Sequence, residues 1–242
     1  MSRAAAVSIL AFLQATQAPS PADAVRSAIK VTSESSYAYA VKGRFSREGV
    51  FAPPGVLTAR IDGFQSARNG TAILIKGPEG LWKTPDERIG ERVEGTPADV
   101  ADKVTGLREA EPPHAMLTAL LDETKSGAEF DTPGSYLFTY KPERARASLE
   151  KQMDRAVERK TMTKPTEVDW GSIEGRLWVR LAKAGGPLAH FREERSVRIV
   201  YRRAGEPDET KRYSTKMEFD LSAHGTAAVE LPQEVRTRLG LK

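Results

Sequence analysis

Cysteine is absent from the 242 residues of this chain. Its absence excludes a disulfide, a thiolate metal site, a cysteine nucleophile and a lipid attached through an N-terminal cysteine. Histidine is scarce: His114, His190 and His224 lie far apart, without local partners at metal-ligand spacing and without an H-E-x-x-H. One stands at a helix start, one between strand residues and one beside Gly225, so each reads as a surface or turn histidine rather than a catalytic base. There is no P-loop, no G-x-G-x-x-G fingerprint and no G-x-S-x-G nucleophile elbow; Gly77-Pro78-Glu79-Gly80 and Gly185-Gly186 are turn glycines. Charge of one sign is hardly in surplus, with 37 basic against 33 acidic residues and a net +4. Even with a pI near 9.2, that balance carries no footprint of a nucleic-acid partner. The expectation is a protein that is not an enzyme and carries neither cofactor nor metal.

Long apolar runs are missing as well, except at the start. Arg3 precedes the run Ala4 to Leu13, and small residues follow to Ala18 and Ala22. This is the pattern of a secretory signal peptide over 1–22, cleaved after Ala18 or Ala22, and it predicts an exported protein, periplasmic or secreted. No later stretch approaches the roughly 20 apolar residues that span a bilayer. The remainder, 23–242, is expected to form one soluble domain that does not cross a membrane.

What the chain does have is strand alternation. From Gly175 to Ser222 three long segments place apolar residues at every second position. Leu177, Val179 and Leu181 alternate with Arg176 and Arg180; Val197, Ile199 and Tyr201 with Arg198 and Arg202; Tyr213, Thr215, Met217, Phe219 and Leu221 with Lys216, Glu218 and Asp220. A period of two means one buried face and one wet face. Turns at 184–187 and 204–209 make the three an antiparallel meander that something else must cover. Arg192, Arg195, Arg198, Arg202, Arg203, Arg212 and Lys216 are expected on its solvated side.

The first half carries a similar pattern. A short helix over 23–31 precedes strands over 37–45 and 56–65, and Asn69-Gly70 is a two-residue hairpin signal ahead of Ile73 and Ile75. In the middle, Thr96-Pro97-Ala98-Asp99 starts one helix and Pro112-Pro113 a second that ends near Lys125 to Gly127, the two forming a helical hairpin. Further strands at 129–130 and 136–141 are followed by a helix over 142–157 with Leu149, Met153 and Ala156 on one side. A short helix from Pro232 to Leu239 ends the order. The fold class is therefore α+β: one strongly curved antiparallel sheet of about ten strands, a half-barrel of two meanders covered on its concave side by helices.

A twisted sheet with helices laid into it can keep an apolar cleft between the two layers. Residues expected to line such a cleft are Phe45, Ile61, Phe64, Ile73, Ile75 and Trp82 from the first meander. Met116, Leu117, Leu120 and Leu121 join them from the helical stripe, and Val179, Ile199, Tyr201, Met217 and Phe219 from the last meander.

The order of elements resembles the LolA/LppX-like lipoprotein-carrier superfamily. It is carried by a leader, a short helix, a strand opening as Ser36-Tyr37-Ala38-Tyr39, a meander, a helical insertion, a second meander and the closing Val229-Glu230-Leu231-Pro232. The resemblance implies an incomplete β-barrel closed by helices around a hydrophobic cavity that receives acyl chains or lipids. It departs from the lipoprotein members in lacking a cysteine for anchoring and from the smallest soluble carriers in length. The expected function is thus an exported carrier for a lipid, acyl chain or lipid-linked molecule, working without covalent chemistry. The alternative is an envelope sensor or scaffold module of the same fold that binds a protein partner through a filled core.

Overall fold

The computed structural model describes residues 19–43, 46–87, 97–202, 205 and 207–241. Most of the expected leader, the Thr96 cap and Phe45 therefore lie outside the described residues. Among the described residues, eleven antiparallel strands form one open sheet: β1 (Tyr37–Lys42), β2 (Arg47–Ala52), β3 (Val56–Ile61), β4 (Phe64–Asn69), β5 (Ala72–Lys76), β6 (Trp82–Lys83), β7 (Thr124–Glu129), β8 (Ser135–Tyr140), β9 (Glu167–Leu181), β10 (Leu188–Tyr201) and β11 (Glu209–Ser222). The strand order is β6-β5-β4-β3-β2-β1-β11-β10-β9-β8-β7, so chain neighbours pair within β1–β6 and within β7–β11, β1 joins β11 in the middle, and β6 and β7 are the two edges.

Several boundaries differ from those the sequence predicts. The segment 56–65 is not one strand: Asp62 and Gly63 take φ of +43° and +82°, and Ile61 faces Phe64 across the turn. This is a two-residue hairpin of the kind Asp-Gly favours. The next hairpin turns on Gly70-Thr71 rather than Asn69-Gly70, because Asn69 still pairs with Ala72 and Gly70 alone takes positive φ. The strand β2, with only Val50 and Phe51 as strong apolar residues, has no clear alternation to announce it. Lys125 to Gly127 belong to β7 and not to a helix end.

Five helices are described: α1 (Pro21–Ser33), α2 (Pro97–Arg108), α3 (Pro113–Asp122), α4 (Pro142–Glu158) and α5 (Gln233–Arg238). Ser20 caps α1 by accepting from the Asp23 amide at 3.2 Å, and Val25, Ala28 and Thr32 form its buried stripe. Thr32 ties this helix to the sheet, its Oγ1 donating to the Ala28 carbonyl at 2.7 Å and accepting from the Leu188 amide at 2.9 Å. Instead of pairing as a hairpin, α3 lies against α1 while α2 lies against β3, β4 and β5. Each helix buries its stripe on a different neighbour, which the four-residue connection from Glu109 to Pro112 permits.

Side chains from α1, α2 and α3 share one core with the sheet face that carries Tyr37, Tyr39, Phe64, Ile75, Phe191 and Phe219. A second core forms where Leu149 and Met153 of α4 meet Val197 and Ile199 of β10. On the opposite sheet face, Val235 of α5 and Leu239, which caps its C-terminus, pack on Ala67 and Leu74.

Candidate functional site

Residues 191, 193, 195, 197 and 199 of β10 all point to the face that α1–α4 cover, because strand side chains alternate. Three are apolar, and Phe191 belongs to the first core while Val197 and Ile199 belong to the second. Between them stand Glu193 and Arg195, both buried. The expectation that Arg195 lies on the solvated side is therefore corrected: its side chain is only 4% exposed.

Burial of a guanidinium requires partners, and the fold supplies three. Nη2 donates to Glu123 Oε2 at 2.8 Å; Glu123 follows α3 directly and precedes β7. Nε lies 2.9 Å from Glu193 Oε1, off the line of a good hydrogen bond. The guanidinium also stands 4.4 Å over the Tyr140 ring, a cation–π contact. Glycine makes that contact possible. Gly175 is opposite Arg195 on β9, and a Cβ there would come within 2.9 Å of the Tyr140 ring. Arg195 and Tyr140 thus meet across a position that has no side chain.

Beside this ionic group a cleft of about 520 Å³ opens between α4 and β11. Tyr213, Thr215 and Met217 form its floor, Ala156 and Met162 part of its wall, and Glu193 reaches it from β10. Its volume falls within the roughly 300–1,000 Å³ of small-molecule sites. Methionine suits such a wall, since its unbranched thioether adapts to ligand shape. Another cleft, of about 400 Å³, lies partly under the segment 228–232 and is lined by Glu48, Arg60 and Lys76, groups unsuited to an apolar chain.

The other residues expected to line an apolar cleft are distributed differently. Ile61, Phe64, Ile75, Leu117, Leu121, Val179 and Phe219 are closed into the first core, with Ile73, Met116 and Leu120 partly buried at its margin. Ile199 and Tyr201 belong to the α4 core, the Tyr201 hydroxyl donating to the Thr163 carbonyl at 3.1 Å. Trp82 is on the opposite face, packed with α5, because it pairs with Lys76 and not with Ile75. Met217 is the expected residue that lines the α4–β11 cleft. Among the described residues no helix is long and apolar enough to cross a membrane, and no three His, Cys, Asp or Glu side chains stand together as a metal site.

His114 is partly buried rather than a free surface residue. Its Nδ1 shares a 2.7 Å hydrogen bond with the Tyr37 hydroxyl, its ring meets Phe51 edge-on at 4.7 Å, and the His224 ring lies 5.9 Å from that of Tyr37. Burial lowers the pKa of His114 and so favours its neutral form. Glu193 is moved the opposite way: burial raises its pKa, Arg195 opposes the rise and Glu123 adds to it. The unfolded chain takes up the His114 proton first, so this group's contribution is full above about pH 6.5 and is lost as pH falls. The folded chain holds the Glu193 proton longer, so its contribution is full below the ordinary glutamate range and is lost as pH rises. In urea titrations between about pH 4 and about pH 7, His114→Gln should lose acid sensitivity relative to the parent, and Glu193→Gln should gain it. Parallel profiles for all three proteins would contradict these assignments.

No family model matches the sequence, and no curated protein is significantly similar to it.

Proposed function

We propose that this protein is a carrier that holds the apolar chain of a lipid or lipid-linked molecule between its sheet and its helices, with no covalent step. The observation that carries this reading is the α4–β11 cleft, floored by Met217 and Tyr213 and walled by Met162 and Ala156. On this reading the sheet curves as a half-barrel built from two meanders around its helices, in keeping with the resemblance to lipoprotein carriers. The chain is exported, and cleavage after Ala18 leaves the Ser20 cap of α1 in place, whereas cleavage after Ala22 removes it.

Protein purified from its own cell envelope should carry lipid in native mass spectrometry, and a fluorescent fatty-acid probe should bind the emptied protein. Met217→Trp, which fills the cleft floor, should weaken the probe by about tenfold or more, a change of about 1.4 kcal/mol. Protein that carries no lipid and binds no probe overturns the carrier reading. The second reading is then an envelope sensor or scaffold that docks a protein partner, which the closed packing at Leu117, Ile75 and Phe219 favours.

A further inference from the structure

We infer that the α4–β11 cleft selects an amphiphile whose polar end is a hydrogen-bond-donating cation, with Glu193 as its acceptor. This rests on the carrier reading and names the ligand class of the same cleft.

Charge in this ionic group is unbalanced. Glu123 and Glu193 share the single guanidinium of Arg195, at 2.8 and 2.9 Å. Glu123 takes the well-aligned hydrogen bond from Nη2, while Glu193 faces Nε at a poor angle. With both carboxylates ionised, the group keeps one uncompensated negative charge, and Glu193 is the member that lines the cleft. Its residue is 9% exposed, and no N–H or O–H among the described residues makes a well-formed hydrogen bond to it. A buried carboxylate short of donors is costly unless something supplies them.

Two polar side chains of the lining are engaged elsewhere. Gln152 of α4 donates to the Ser148 hydroxyl at 3.2 Å, and the Lys216 ammonium at the rim is 2.9 Å from Glu218 Oε1. The Tyr140 ring lies under Arg195 rather than over the cleft. An ammonium brings three donors and one positive charge, and its alkyl chain would run along Met217 toward Tyr213. A carboxylate or phosphate headgroup with no ammonium of its own would instead add a third negative charge beside Glu123 and Glu193.

The test is calorimetric titration of the delipidated protein with dodecylamine and with dodecanoic acid, both below their aggregation concentrations. The parent should bind the amine at least about tenfold tighter than the acid, the scale of one charge-assisted hydrogen bond. Glu193→Gln should erase that preference while still binding the acid. Met217→Trp should weaken both ligands, and Gln152→Trp approaches the same cleft from α4 if the first substitution prevents folding. Lysophosphatidylethanolamine separates the sources: competition with dodecylamine indicates a lipid headgroup, and its failure to compete indicates a free amine. Equal affinity for amine and acid, or an amine preference that survives Glu193→Gln, overturns the assignment and leaves the carrier reading intact. Binding of neither ligand overturns both.

Discussion

Replacing Arg195 with methionine should cost about 3–5 kcal/mol of stability, the scale on which removal of one partner from a buried ion pair destabilises a protein. The loss comes less from the ion pair's own strength than from what is left behind. Glu193 would remain buried with no cation beside it, Glu123 would lose its 2.8 Å partner, and the space over the Tyr140 ring would be refilled by a softer side chain. Adding Glu193→Gln to the methionine variant should recover a large part of the loss, because the charge that has become unpaired is removed with it. Denaturant unfolding of the parent, both single variants and the double variant gives the cycle directly. A loss below about 1 kcal/mol, the scale of an exposed ion pair, would mean that water reaches this group and that it is not a buried one.

The position of Arg195 shows where the sequence is legible and where it misleads. The alternation that starts at Val197 and Ile199 continues backward at the same parity through Arg195 and Glu193 to Phe191, so the buried face was readable two residues at a time. Two charged residues at that parity look like the end of the pattern, when they are its middle. What decides between the two is a set of partners that are distant in sequence: Glu123, Tyr140 and the side-chain-free Gly175. No local rule brings those together.

Elements with strong local signals were legible. The three long strands, the turn at Gly77 to Gly80 and the stripe of α4 all follow from period and turn chemistry. Trp82 faces away from the first core, against the expectation, because β6 is two residues long, and in so short a strand parity is set by its pairing with Lys76 rather than by an alternation. The helix stripes of α2 and α3 were visible, but which neighbour each would bury against was not, since an apolar stripe states only that it needs cover.

Truncation at two apolar positions should separate the closed part of the interior from its margin. Phe219 is fully buried and stacks on Phe191 with ring centroids 4.2 Å apart and 10° between planes. It also faces Val41 across the β1–β11 pair, where the two halves of the sheet meet. Phe219→Ala should therefore cost about 3–5 kcal/mol, since the surrounding strands cannot close over the space of a ring. Leu120 is only partly buried at the edge of the same core. Its replacement by alanine should fall below the roughly 2–5 kcal/mol of a closed leucine position, because part of its surface already meets water. If α3 moves to admit an acyl chain, Leu120→Ala should change binding of the fatty-acid probe more than it changes unfolding. A full core-sized loss at Leu120, in a protein that binds no probe, would show that α3 is sealed against the sheet. The interior would then be a packed support for an outward-facing partner surface and not a container.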